Sequence, residues 1–249
     1  MQKEVKFGLL GKNISYSFSK KYFTQKFSEL KLDHCTYVNF DIPAIDDLPL
    51  VLDKNIENLK GLNVTIPYKE AVIKYLDEID GAAEEIGAVN TIKILDGSRL
   101  KGYNTDVYGF KNSLKPLLKS NAYHALILGT GGASKAVSYV LDTLQIPYKF
   151  VSRNPQNVQS ISYREIDELL LSKYHLIINC TPVGTYPKID SAPDLPYHYL
   201  TDRHILYDLI YNPAMSSFLQ KGKDAGAVIK NGEEMLQLQA EKSWEIWQS

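Results

Sequence analysis

The stretch ALILGTGGASKA, residues 125–136, reads as a buried strand that passes through a glycine turn directly into a helix. Ala125 to Leu128 is an aliphatic run of strand length. Gly129 lets the chain turn tightly, and Gly131 and Gly132 leave the backbone bare. A helix from Ser134 to Leu144 then presents its first N–H groups to the loop. Such a loop accepts a pyrophosphate, because unpaired amides and the helix dipole both favour an anion there. Ser134 stands where a strict GxGxxG pattern has its third glycine. A plain strand-to-helix turn would use the same residues, but the clear strand before and helix after favour a dinucleotide.

The next strand, Tyr148 to Val151, decides which dinucleotide. An acid at its end would accept hydrogen bonds from a ribose hydroxyl and select NAD. Here the strand ends Phe150-Val151-Ser152-Arg153-Asn154, with no acid before Asp167. Arg153 suits a 2′-phosphate through a charge-assisted contact, so NADP is the expected cofactor; an exposed turn arginine is the alternative. Leu176 to Asn179 and Ile205 to Leu209 repeat the strand signal, which makes this half a Rossmann-type α/β unit.

The first half alternates in the same manner. Val5 to Leu10 is a strand closed by Gly11, and Lys20 to Leu30 sets Tyr22, Phe23, Phe27 and Leu30 at helical spacing. Thr36 to Phe40 and Gly61 to Ile66 are further strands. Tyr68 to Asp80 is amphipathic and predicts a helix. Lys101 to Thr105 is a polar segment leading into a helix from about Val107 to Leu118. A last helix, Gly232 to Gln248, carries Leu236, Ala240, Trp244 and Trp247 on one stripe, which requires a docking surface. The expectation is an α/β protein of two α/β domains with a cleft between them. The substrate domain, with a mainly parallel sheet, covers residues 1–103 and is joined by the C-terminal helix 230–249; residues 104–229 form the NADP-binding domain.

Composition excludes several classes. The 249 residues are 44% hydrophobic and 23% charged, as in ordinary globular proteins, and the net charge of -1 gives no reason to expect nucleic acid or an anionic membrane. No apolar run reaches the length of a membrane span or signal peptide. Cys35 and Cys180 stand far apart with no metal-ligand spacing around them, so no metal is expected. A cytoplasmic protein acting on a small molecule, as monomer or homodimer, is the expectation.

Two polar segments carry chemistry. In Gly61-Leu62-Asn63-Val64-Thr65-Ile66-Pro67-Tyr68-Lys69, alternation points Asn63 and Thr65 the same way, and Lys69 follows on the loop or first helical turn. Gly102-Tyr103-Asn104-Thr105-Asp106 brings a carboxylate to a helix start. A lysine ammonium can give a proton to a carbonyl oxygen as hydride reaches the carbon, and a carboxylate can orient it. Spacing alone equally allows a solvated lysine and a helix-capping aspartate.

Beyond these residues, GLNVTIPYK (61–69), GAVNT (87–91), GYNTD (102–106), GTGGASKA (129–136), YNP (211–213) and NGxxMLxxQ (231–239) occur in that order. In this the chain resembles the shikimate dehydrogenases. The resemblance implies NADPH-linked reduction of 3-dehydroshikimate to shikimate, on the route to chorismate and the aromatic amino acids. It implies Lys69 and Asp106 as the catalytic pair, with Lys69 the general acid/base. It places Ser17 and Ser19 on the substrate carboxylate, and Asn63, Thr65, Asn90, Tyr211 and Gln239 around the ring hydroxyls. It assigns Gly129, Thr130, Gly131, Gly132, Ala133, Ser134, Ser152, Arg153, Thr181 and Gly232 to the cofactor. Tyr16 and Lys20 replace the His and Pro usual around the serine pair, and Asn154-Pro155 follow Arg153 where a further basic residue is frequent. The alternatives are a quinate-type relative with relaxed cofactor use, and a non-catalytic NADP or metabolite sensor. The paired serines argue against the first, and retention of Lys69 and Asp106 against the second.

Overall fold

The computed structural model describes residues 3–15, 17–119 and 123–249; Tyr16 lies outside them. The chain divides into two compact units, Met1–Thr105 with Ala240–Ser249, and Asp106–Gln239. The boundaries drawn from sequence are 103/104 and 229/230; by contact, residues 104–105 group with the first unit and 230–239 with the second.

The first unit contains β1 (Val5–Gly11), α1 (Phe18–Glu29), β2 (Cys35–Asp41), α2 (Leu48–Asn55), β3 (Leu59–Val64), β4 (Glu78–Ile79), α3 (Gly81–Ile86), β5 (Thr91–Ile94) and β6 (Leu100–Tyr103). They build a six-stranded sheet in the order β2-β1-β3-β5-β6-β4. β1 runs parallel to β2 and β3, and β4 parallel to β6, while β5 is antiparallel to both neighbours. The polar 101–105 segment is therefore largely the second arm of a hairpin.

The amphipathic helix expected over 68–80 does not form. A 3-10 turn covers Ala71–Tyr75, and β4 follows. The competing interaction is pairing with β6: Asp77 N donates to Leu100 O at 2.9 Å, Leu100 N to Asp77 Oδ2 at 2.7 Å, and Asp80 N to Gly102 O at 2.9 Å. Long-range strand bonds here override a local helical period.

The second unit contains α4 (Asp106–Leu114), β7 (Ala125–Leu128), α5 (Gly132–Thr143), β8 (Tyr148–Val151), β9 (Ser160–Ile161), α6 (Glu168–Leu171), β10 (Leu176–Asn179), β11 (Ile205–Asp208), α7 (Ser217–Asp224), β12 (Val228–Lys230) and most of the first half of α8 (Glu233–Gln248). Its six strands are all parallel, in the order β12-β11-β10-β7-β8-β9. This is the doubly wound nucleotide-binding order, with its switch point beside β7. Alternation along β7 sends Leu126 and Leu128 into one apolar cluster and Ala125 and Ile127 into another, so both sheet faces are covered.

In the first unit the C-terminal half of α8 closes the core. The Trp247 ring stacks on Phe7 with centroids 4.8 Å apart, and its Nε1 donates to Ile92 O at 3.0 Å. Phe23 stacks on Tyr37 at 4.8 Å, and Phe27 and Trp244 complete the cluster. Gly61 is required beneath the indole, since a Cβ there would lie 2.2 Å from Trp247 Nε1. No helix of the described residues is long and apolar enough to cross a membrane. Trp247→Ala is expected to cost about 3–5 kcal/mol of unfolding free energy in urea titration. A loss under about 1 kcal/mol would show that α8 does not close this core.

Candidate functional site

In the first unit, a chain of buried amides and hydroxyls ties the sheet to α8. Tyr37 OH donates to Asn63 Oδ1 at 2.8 Å. Asn63 Nδ2 donates to Thr91 Oγ1 at 3.2 Å and to Ser243 Oγ at 2.9 Å. Thr91 and Ser243 lie 2.8 Å apart, and Thr105 Oγ1 is 3.2 Å from each. Asn90 Oδ1 accepts from Thr105 N at 2.7 Å and from Thr105 Oγ1 at 3.1 Å. Burial makes every one of these partners necessary, because an unpaired polar group there carries its full desolvation cost.

The site residues expected from sequence fall into different places around this chain. Asn63 is 4% exposed with its oxygen and both amide hydrogens engaged by protein. Thr65 and Lys69 follow it on a half-buried loop, where Thr65 N donates to Leu10 O at 2.9 Å and Val89 N to Lys69 O at 2.8 Å. That second bond fixes the Lys69 backbone beside the strand entering at Asn90. Ser17 is the N-cap of α1: its Oγ accepts from Lys20 N at 3.2 Å, which leaves the O–H to donate elsewhere. The Asn104 Oδ1 is buried without a hydrogen-bond partner among the described residues, although its Nδ2 donates to Ala88 O at 2.9 Å.

In the second unit, Asp106 opens α4 rather than capping it. Tyr211 is exposed on the loop after β11, with partial desolvation pushing its hydroxyl pKa up. Gln239 is buried on α8, and its Nε2 donates to Leu236 O at 3.0 Å. Gly109 lets α4 approach α8 here, since a Cβ would meet Met235 O at 2.5 Å.

A cavity of about 1010 Å³ opens at the carboxyl ends of β7, β8, β9 and β10. Gly129, Thr130, Gly131, Ser152, Arg153 and Thr181, six of the residues the resemblance assigns to the cofactor, line it. Gly132, Ala133, Ser134 and Gly232 are not on its lining. Ser134 Oγ turns back to Gly131 O at 2.6 Å, and Gly232 packs under β11, where a Cβ would lie 2.2 Å from Leu209 O. Ser162, Tyr163, Arg164, Pro182, Val183 and Asp194 also line the cavity, and no sequence motif marked them.

The lining fits a dinucleotide phosphate. Gly129 holds φ 99, a left-handed conformation suited to glycine. A Cβ on Gly131 would meet no protein atom within 4 Å, so the bare backbone leaves open space for a ligand. The first turn of α5 carries no acidic residue and no side-chain cap. Amides at a helix start, hydroxyls and two guanidinium groups supply the donors a polyanion demands, with Asp194 the one carboxylate on the lining among the described residues.

One buried carboxylate organises the floor. Asp208 ends β11, accepts from Asn179 Nδ2 at 3.0 Å and Ile210 N at 3.1 Å, and receives the Ser216 hydroxyl. Asn179 Oδ1 in turn accepts from Thr181 N at 3.0 Å and Thr181 Oγ1 at 2.7 Å. Asp208 thus fixes a cavity-lining residue through Asn179, and burial pushes its carboxyl up to about 6 against these bonds. A carboxyl raised in the folded state binds its proton more tightly folded than unfolded. Its contribution to stability is full below the unfolded value near 3.8 and is lost as pH rises through about 6. Relative to Asp208→Asn, the unfolding free energy of the unsubstituted protein should fall by roughly 2–3 kcal/mol between pH 4 and 7. Parallel pH–stability curves would show that Asp208 does not titrate in this window.

Comparison with known proteins agrees with this geometry. Residues 9–92 match the family model for the shikimate dehydrogenase substrate binding domain. The shikimate dehydrogenase (NADP(+)) of Clostridium beijerinckii is 38% identical over 251 residues, covering 97% of this chain and 91% of that one. The crystal structure of shikimate 5-dehydrogenase from Thermus thermophilus in complex with NADP(H) and shikimate superposes with a TM-score of 0.85 at 29% identity, covering 98% and 93%. That from Listeria monocytogenes in complex with shikimate and NAD gives 0.87 at 26%, covering 98% and 92%. By its sequence over nearly its full length and by its fold, the chain belongs to the shikimate dehydrogenase family.

Proposed function

We propose that this chain reduces 3-dehydroshikimate to shikimate with NADPH, reversibly, and that its second unit selects NADP through Arg153. The observation that carries the reading is one cavity lined by both the glycine turn and Arg153, in a chain of this family. Bound NADPH supplies the hydride that reaches the carbonyl carbon. As the carbonyl electron pair moves onto oxygen, the Lys69 ammonium donates a proton to it, and in the reverse direction Lys69 takes the proton from the hydroxyl. Asp106 orients a substrate hydroxyl and the ammonium; these two roles rest on the family motifs that both residues occupy.

The remaining polar residues sort by what is still available on them. Ser17 retains a donor after capping α1, and with Ser19 two residues on, it suits a carboxylate held by a pair of hydroxyls. Thr65, Asn90, Tyr211 and Gln239 read the ring hydroxyls in this proposal. A site built from such groups rejects an analogue lacking one hydroxyl, since a buried partner would be left unpaired. Asn63 supports the site from behind instead of touching substrate, because its amide is already spent on Tyr37, Thr91 and Ser243.

Absorbance assays of shikimate and quinate, each with NADP and NAD, test the reading directly. Shikimate with NADP should be turned over fastest; preference for quinate, or no turnover at all, would overturn it. Lys69→Ala should lower kcat by roughly 10²–10⁴-fold, with a much smaller effect on shikimate affinity measured by calorimetry. An unchanged kcat would remove Lys69 from proton transfer.

A further inference from the structure

The parallel pairing of β8 with β9 sets Val151 beside Ile161, and Ser152 N donates to Ile161 O at 2.9 Å. Two chain segments therefore leave the sheet side by side. One carries Ser152 and Arg153, the other Ser162, Tyr163 and Arg164, and all five residues line the same cavity. The segment that joins them, Asn154-Pro155-Gln156-Asn157-Val158-Gln159, contains no lysine or arginine. A second positive charge at this end of the cavity has to come from the β9 side.

Neither arginine forms an ion pair among the described residues. Glu165, the acid adjacent to Arg164, is committed elsewhere: its Oε2 accepts from Ser162 N and Ser162 Oγ, each at 2.7 Å, and closes a capping box. Those bonds hold its carboxyl below the usual range. Asp194 is on the lining as well, yet it pairs with neither guanidinium. Arg153 and Asp194 both act on the Tyr163 hydroxyl, and Arg153 and Arg164 line the same cavity. Two guanidinium groups in one pocket, with a single carboxylate that pairs with neither, favour an anion lying between them. A phosphate monoester carries close to two negative charges at neutral pH and offers three acceptor oxygens, enough for two guanidinium forks.

We infer that Arg164 is the second arm of the site that reads the adenosine 2′-phosphate, facing Arg153 across it and drawn from the segment after β9. The inference rests on the cavity being the NADP site proposed above. The two arginines divide the discrimination between NADP and NAD, and the Glu165 capping box holds the backbone from which Arg164 extends.

Calorimetry with nicotinamide-free fragments separates the claims. Adenosine 2′,5′-bisphosphate carries the 2′-phosphate, and adenosine 5′-monophosphate lacks it. Arg164→Ala should weaken the bisphosphate by roughly tenfold to a hundredfold and leave the monophosphate within about twofold. Arg164→Lys, which keeps charge without the fork, should recover part of the loss. Both arginines are exposed, and thermal unfolding checks that each variant stays folded. If Arg153→Ala loses bisphosphate affinity and Arg164→Ala does not, the role of Arg164 is overturned while the cofactor reading stands. Equal losses for both fragments on Arg164→Ala overturn it too. If neither substitution affects the bisphosphate, the cavity is not the 2′-phosphate site and both readings fall.

Discussion

A single row of strand register underlies the large cavity of the second unit. In the second sheet Ile161 pairs with Val151, Val151 with Leu128, Leu128 with Asn179, and Asn179 with Asp208. Parallel strands connected by crossovers must all end on the same edge. Because they end on one row, the next residues along the chain (Ser162, Ser152, Gly129, Cys180 and Leu209) all leave the sheet at one level. Apolar burial on both faces fixes that row: a slip of one residue would turn the alternating aliphatic sets of β7 and β10 into the wrong clusters. The binding cavity thus inherits its geometry from core packing, and its polar residues need only be present at the right count beyond each strand.

The first unit solves the same problem with polar bonds. Its sheet is mixed, so strand ends do not fall on one edge. The buried chain from Tyr37 through Asn63, Thr91 and Ser243 to Thr105 and Asn90 ties β2, β3, β5 and α8 by side chains instead. Such a network is demanding, since one deleted member leaves its neighbours unsatisfied. It also holds the backbone on which Thr65 and Lys69 are carried.

Much of this was legible in the sequence because it follows short-range rules. β7, β8 and β10 are aliphatic or aromatic runs bounded by turn residues, and the glycine turn has a backbone requirement visible in its letters. What escaped is long-range. The 71–79 segment has a helical period, yet bonds to β6 pull it into a turn and a short strand. α2 lacks a clear apolar stripe. Arg164 and Ser162 carry no motif; they reach the cavity only through the pairing of β9 with β8. Asn63 shows the converse, a residue whose type and position suggest a ligand contact but whose partners come from Tyr37 and Ser243, far along the chain. Pattern reading finds a polar residue at a strand end and cannot find who already holds it.

The stacking of Trp247 on Phe7 has a consequence for how the chain comes to be folded. These rings belong to β1 and α8, so the first unit cannot complete its aromatic core until synthesis has passed the whole of the second unit. Translation proceeds at about 5–20 residues per second, and domains made of contiguous chain can fold as they emerge. The parallel sheet of the second unit is contiguous and can close first. Phe7, Phe23 and Phe27 meanwhile wait without their indole cover, a stretch of exposed aromatic surface that a chaperone would recognise. Vectorial synthesis therefore makes the unit that is read first the one that is finished last.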